Sequence, residues 1–209
     1  KCLYDGYEGW CQKSQLTEVD DHFYNNNHQF LTAQPITTAL CNGKSIFLPG
    51  GSFIGCFNHE VLAIGNTTIT FPETPFQFKE LNEDVNIYEV LHPYINVPYL
   101  WGGKSIFGID CSGFAQQIYK MLDIKLPRDA YQQAVEGVAV GFLQEAQLGD
   151  LAFFDNEEGR ITHVGIILND EHIIHASGKV RVDKIDNMGI VNTETNERTH
   201  HLRLIKRFL

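Results

Sequence analysis

The chain has 209 residues, which gives room for one large domain or two modest ones. With 43% hydrophobic and 20% charged residues it has an ordinary globular composition, and no apolar run nears the roughly 18 residues that would suggest a membrane-spanning helix. A formal charge of -10 argues against nucleic acid or an anionic membrane surface as a partner, so any anionic substrate must be held by local positive charge.

The opening residues, "KCLYDGYEGW", have no signal-peptide character and read as the middle of a β unit, so the gene product is expected to begin upstream. Residues 1–80 are β-rich by pattern. "GYEGWCQKSQL" is a Gly-punctuated turn followed by an aromatic strand, "KSIFLPGGSFIGCF" is two short strands around Pro49-Gly50-Gly51, and "TTITFPETPF" alternates Thr with apolar residues between prolines. "DDHFYNNNHQF" is polar and Asn-rich, a loop or linker. A boundary is expected between residues 75 and 84. Beyond it "VNIYEVLHPYI" has helical spacing at Val85, Tyr88, Val90 and Leu91, and Phe114, Ile118, Met121 and Leu122 mark one face of an amphipathic helix. "DLAFF", "THVGIIL", "HIIHAS" and "LRLIKRF" then read as strands, so residues 81–209 are expected to form an α+β domain with a mostly antiparallel sheet.

Cys2, Cys11, Cys41, Cys56 and Cys111 are odd in number and singly spaced, which fits reduced thiols better than a disulfide framework, and no Cys-x-x-Cys pair offers a structural zinc site. Cys111, in "GIDCSGF", differs from the others. Asp110 can cap a helix that starts at Cys111, where unpaired N–H groups and the macrodipole favour a thiolate, and Gly108 and Gly113 allow a substrate close to the backbone. On this segment alone a nucleophile and a buried core thiol are equally good readings. A nucleophilic thiol also needs a base and a group to orient it. If the turn after "THVGIIL" is centred near Asp170, positions 163 and 177 pair, as do 165 and 175, and His163 and His175 share a face; a turn shifted by one residue separates them.

"PYLWGGKSIFGIDCSGF", "LPRDAYQQ", "LGDLAFF", "THVGIIL" and "IIHASGKVRVDKID", in that order, strongly resemble the NlpC family of cell-wall cysteine peptidases from about residue 90 to the C-terminus. The resemblance implies a compact papain-like fold, with Cys111 as nucleophile, His163 as base, His175 as the residue orienting it, and Tyr99 beside the thiol to help position the oxyanion. It implies no metal and no organic cofactor. "DGYEGWCQKSQL" is similar to the closing part of a bacterial SH3-like domain, and "ALCNGKSIFLPGGSFIG" to a second, divergent one.

The combination resembles the subfamily that cleaves the γ-D-glutamyl bond of peptidoglycan stem peptides bearing a free N-terminal L-alanine. That resemblance implies Tyr7, Glu8, Asp110, Ser112, Arg128 and Asp129 as substrate contacts, with the ammonium at Glu8 and Asp110 and the glutamyl α-carboxylate gripped by the Arg128 fork. Ala130 stands where relatives often carry a hydroxyl residue. The expected product is L-alanyl-D-glutamate, the expected partner a murein-derived peptide, the expected state a monomer, and the expected setting the cytoplasm, or outside it if an export signal precedes Lys1. Three other readings use the same chain: an amidase or acyltransferase with a cleft open at both ends, a catalytically silent peptide-binding module, and a zinc protein using scattered His and Cys, for which no ligand spacing is present.

Overall fold

The structure, a computed structural model, describes residues 2–4, 7–21, 30–54, 61–71, 76–77 and 86–209. The chain divides into two compact units, Lys1–Val85 with Met121–Asp123, and Asn86–Lys120 with Ile124–Leu209. Most of the Asn-rich segment expected as a loop lies outside the described residues.

The first unit is made of short strands: β1 (Cys2–Tyr4), β2 (Tyr7–Gly9), β3 (Phe30–Leu31), β4 (Ile36–Cys41), β5 (Lys44–Pro49), β6 (Phe53–Ile54), β7 (Val61–Ile64), β8 (Thr67–Thr70) and β9 (Phe76–Gln77). They form an antiparallel β1-β2 hairpin, a β6-β3-β9 sheet and a β5-β4-β8-β7 sheet. β4 escaped the sequence reading, although its signal is strong. Asn42-Gly43 joins β4 to β5 with both residues at positive φ (48° and 79°), the two-residue turn whose twist matches antiparallel strands. Ala39, Ile54, Leu62 and Phe71 form this unit's core, with Ile46, Leu48, Ile64 and Ile69 against it.

The second unit begins with α1 (Ile87–Leu91). Its face is the expected one at Leu91 but not at Tyr88. The Asn86 side chain accepts a hydrogen bond from the Tyr88 amide (3.1 Å) and caps the helix; Ile87 and Leu91, four apart, are buried, whereas Tyr88 is exposed and Val85 lies outside the described residues. Then come β10 (Lys104–Ser105), β11 (Gly108–Ile109), α2 (Cys111–Met121), α3 (Ala130–Gln133), β12 (Val138–Val140), β13 (Leu151–Asp155), β14 (Ile161–Ile167), β15 (His172–Ser177), β16 (Lys179–Asp186), β17 (Gly189–Val191) and β18 (Arg198–Arg207).

Seven of these strands make one antiparallel sheet in the order β12-β18-β13-β14-β15-β16-β17, and β17 also pairs with β18, so six strands close on themselves. Closure removes the exposed edges that an open sheet would present. Leu143, Ala152, Phe154, Ile167, Ile173, Ile185, Ile190 and Ile205 pack together as this sheet's core. β13 is buried from Leu151 to Phe154, so alternate residues must be covered on both faces. Helix α2 is buried from Cys111 to Tyr119, and the Tyr119 hydroxyl donates to the Gly149 carbonyl just before β13. The fold is therefore an antiparallel sheet with few helices, and α2 carries the residue singled out by the sequence. Among the described residues no helix is long and apolar enough to cross a membrane.

Candidate active site

Asp110 follows β11 and caps α2. Its carboxylate Oδ1 accepts from the Gly113 amide (2.7 Å) and its carbonyl accepts from the Phe114 amide (2.8 Å), so Cys111 stands in the first turn. Gly113 is required for a reason other than the one expected. A Cβ there would lie 2.4 Å from the Gly103 carbonyl oxygen and 2.9 Å from Asp110 Oδ1, and one at Gly108 would meet Leu100 Cβ at 2.6 Å. The protein's own 100–103 loop, not a substrate, takes up that closeness.

Cys111 is 7% exposed, and its sulfur is hydrogen-bonded to the backbone at Val164, the residue after His163 in β14. Burial pushes the thiol up from its ordinary value, and the Asp110 charge adds to the rise, against the backbone hydrogen bonds at Val164, Ser112 and Cys111 itself. The first-turn position alone predicts an acidic thiol; loss of solvent outweighs it. The resting group is a thiol that needs a base.

The β14–β15 register brings the two candidate histidines together. Gly165 faces His175 and Ile167 faces Ile173, the alternative that puts His163 and His175 on one face. His163 Nε2 lies 2.8 Å from His175 Nδ1, and His175 Nε2 lies 3.0 Å from Asp183 Oδ2 on β16. Burial opposes the Asp183 charge, but hydrogen bonds from His175, the Thr193 amide, Arg181 and the Thr193 hydroxyl outweigh it and hold the carboxyl well below the usual carboxylate range. An ionised Asp183 can only accept, so His175 carries its proton on Nε2 and offers the lone pair of Nδ1. His163 must then donate from Nε2, and its Nδ1 is left bare. Burial, then the neighbouring His200 and His175, keep His163 neutral by lowering it well below the ordinary histidine value. The chain Asp183–His175–His163 thus sets a proton-accepting nitrogen on the ring adjoining the strand position that the thiol touches. Asp183 lies inside the "KVRVDKID" segment but was not singled out from sequence, because only the β15–β16 register brings it to His175.

Gly165 makes the relay possible. An added Cβ would come 2.7 Å from Ile173 Cδ1 and 2.9 Å from His175 Cβ. Gly165→Ala is therefore expected to destabilise the fold by about 1–3 kcal/mol and to lower kcat by tilting His175. Thermal melting and kcat check it; a variant unchanged in both would show that His175 does not need the space.

The other sequence candidates fall into two groups. Tyr99 is half-buried, its amide donates to the Gly178 carbonyl after β15 (2.9 Å), and it bridges to Ile109. Burial, then Cys111 and Asp110, raise its phenol, with Arg128 opposing, so the ring is in electrostatic reach of the thiol. Asp110, Ser112 and Arg128 form a closed network. Arg128 Nη1 donates to Asp110 Oδ1 (3.1 Å) and Ser112 Oγ (2.9 Å), Nη2 to Asp110 Oδ2 (2.5 Å), Ser112 Oγ to Asp110 Oδ1 (3.3 Å), and the Gly102 amide to Asp110 Oδ2 (2.8 Å). The two groups thus engage each other, so a substrate ammonium at Asp110 or a substrate carboxylate at Arg128 would share or open that pair.

Asp129 begins α3, where its amide donates to Gln132 Oε1 (3.1 Å), and Ala130 is buried. Gln133 Nε2 donates to the Ser112 (3.1 Å) and Pro127 (2.8 Å) carbonyls, tying the "LPRDA" loop to the nucleophile helix. Tyr7 and Glu8 lie in β2 of the first unit, and Glu8 is exposed. Sequence reading missed His200 altogether. It stands on β18, its ring stacked on His163 with centroids 4.1 Å apart and planes at 25°.

A capped-helix thiol beside a sheet-borne His–His–Asp relay is the equipment of a cysteine peptidase. Residues 96–199 match the NlpC/P60 family, and the second unit belongs to it. A γ-D-glutamyl-L-lysine dipeptidyl-peptidase of Bacillus cereus is 28% identical over 190 residues, covering 82% of this chain and 57% of that protein. One of the same name from Bacillus subtilis is 45% identical over 85 residues, covering 40% of this chain and 28% of that protein. A murein DD-endopeptidase/murein LD-carboxypeptidase of Escherichia coli is 32% identical over 124 residues, covering 56% of this chain and 64% of that protein. The crystal structure of an NlpC/P60 family protein from Bacillus cereus matches with a TM-score of 0.79 at 25% identity, over 98% of this chain and 71% of that one. The chain thus spans between about a quarter and two thirds of the length of these curated relatives.

Proposed function

We propose that this protein is a cysteine endopeptidase that hydrolyses the γ-D-glutamyl–diamino acid bond of murein stem peptides with a free N-terminal L-alanine. The observation that carries it is the Cys111 thiol against the β14 backbone at Val164, next in sequence to His163 of the His163–His175–Asp183 relay, in an NlpC/P60 domain. The names of the two Bacillus relatives support the choice of bond. In this reading Cys111 Sγ attacks the γ-carbonyl while His163 Nδ1 takes the thiol proton, and the Tyr99 phenol helps position the oxyanion. Collapse expels the diamino acid amine, which takes the proton back from His163, and leaves a thioester. Water, deprotonated by the same nitrogen, then releases L-alanyl-D-glutamate and restores the thiol.

The second unit is read as a papain-like domain over residues 81–209, and residues 1–80 as an SH3-like region whose Tyr7 and Glu8 bind the free amine. Asp129 remains a proposed substrate contact. A cytoplasmic, monomeric enzyme acting on peptides already freed from sugar accords with the odd number and single spacing of the cysteines in the sequence. The Escherichia coli relative, named for other murein bonds, favours a second reading: the same relay acting on a different bond of the peptide.

The test is kcat/KM on L-alanyl-γ-D-glutamyl-diaminopimelate, its lysine analogue, and their N-acetyl forms. Cleavage of the free peptides and none of the capped ones is expected. Glu8→Gln is expected to raise KM for the free peptide by about tenfold, the loss of one charge-assisted hydrogen bond of about 1.4 kcal/mol. Equal rates on free and capped peptides would remove amine recognition, and cleavage of murein peptides at another bond alone would select the second reading.

A further inference from the structure

His200 plays no part in the relay, yet it completes a cluster. One ring nitrogen from each of His163, His175 and His200 lies within 4.8 Å of the other two, the kind of convergence that holds a metal ion. We propose that these three histidines form a site for a divalent cation of the zinc class, and that occupation of the site switches the enzyme off.

Two features support the site beyond proximity. The His163 and His175 nitrogens that share a hydrogen bond are 2.8 Å apart, and two nitrogens on one tetrahedral zinc stand about 3.3 Å apart, so the pair has to widen by about half an ångström and both rings have to turn off their shared line to take the ion. The outer contacts are those of a metal centre. His175 donates its other N–H to Asp183, which fixes the tautomer and supplies a negative charge, and Arg181 and Thr193 hold that carboxylate in turn. Three imidazoles and a vacant fourth position suit zinc, and equally copper or nickel.

Inhibition follows from proton bookkeeping. Neutral His163 carries one N–H proton, on Nε2, where it bonds His175. A cation bound at that Nε2 and at His175 Nδ1 takes both lone pairs, so the His163 proton must move to Nδ1. No proton is lost and nothing is oxidised, but the nitrogen that should accept the thiol proton is now filled. Chelation of the cation reverses the change.

The measurement is calorimetric titration of zinc chloride into Cys111→Ser, which removes the thiol as a competing ligand and needs no substrate. One zinc per chain is expected, with affinity reduced about 10- to 100-fold in Cys111→Ser/His200→Ala. His200→Phe in the same background, which keeps a ring to stack on His163, is expected to lose as much, and its thermal melting shows that it is folded. With the thiol intact, zinc should suppress peptide cleavage, EDTA should restore it, and His200→Phe should need more zinc for the same fractional loss of its own EDTA-treated rate. No binding by Cys111→Ser, or binding that both His200 variants leave unchanged, overturns the proposal and assigns any zinc effect to the Cys111 thiol or to surface histidines. Because binding is read without substrate, failure of the proposed peptidase specificity leaves this result untouched.

Discussion

His163→Ala is expected to lower kcat by about 10²–10⁴-fold, the usual loss when a general base is removed, and Cys111→Ser to abolish turnover. The size of the first effect follows from the state of the thiol. Burial and Asp110 keep Cys111 protonated, so attack requires proton transfer in the same step, and His163 Nδ1 is the nitrogen the relay leaves bare. His175→Asn should cost less, because an amide oxygen can still accept from His163 Nε2 and hold the ring. The pH profile separates this scheme from a resting thiolate–imidazolium pair. His163 titrates well below the ordinary histidine value, so kcat/KM should stay level as pH falls through about 6.5 and drop only below that. Iodoacetamide modification of Cys111 should keep accelerating as pH rises through 8. An acid limb at or above about 6.5, with alkylation already level there, would mean a preformed ion pair and refute the neutral-thiol scheme.

Asp183→Asn is expected to lower kcat by a similar factor, about 10²–10⁴, although residue 183 stands two side chains away from the thiol. The direction comes from hydrogen-bond polarity. Asp183 Oδ1 accepts from Arg181 Nη2 (3.0 Å), the Thr193 amide (2.9 Å) and the Thr193 hydroxyl (2.9 Å), so an asparagine places its oxygen there. Its NH₂ group then occupies the Oδ2 position and points at His175 Nε2. His175 must accept at Nε2, carry its proton on Nδ1 and donate to His163 Nε2, which drives the His163 proton onto Nδ1. Every ring keeps its place and the base is lost. Unchanged iodoacetamide access at Cys111 and a melting temperature near that of the parent would show that the site is intact. A kcat close to the parent value in such a protein would show that the Asp183 tautomer control is not used.

Low pH acts on stability through the same groups, with the signs set by their shifts. Asp183 is depressed in the folded chain, so its contribution is present above the unfolded carboxylate value of about 3.9 and is lost as pH falls towards its folded value. His200 is depressed to about 4, so the folded state excludes a proton that the unfolded chain binds below about 6.5. Between those values each fall in pH costs stability on its account.

What could be read before folding was whatever local chemistry dictates. An aspartate before a cysteine and an apolar face at helical spacing define where α2 starts and which side it buries, because capping and periodicity act within a few residues. The four C-terminal strands were legible from apolar runs, and their two-residue repeat reduced the relation of His163 to His175 to one choice of turn. The same local signals misled where they were weak, as with Tyr88 on α1, and the Asn42-Gly43 hairpin was present to be read.

By itself, then, the sequence determined the nucleophile helix, the antiparallel strands and the pair of histidines one register step from meeting. Tertiary structure decided the rest. Asp183 and His200 reach the histidines only because β16 folds back on β15 and β17 closes onto β18, contacts between segments that carry no mutual signal along the chain. Arg128 and Asp110 pair across 18 residues, which braces the loop that leads into α2. The protonation states that allow the chemistry come from burial, and burial belongs to the packed chain and to no segment of it.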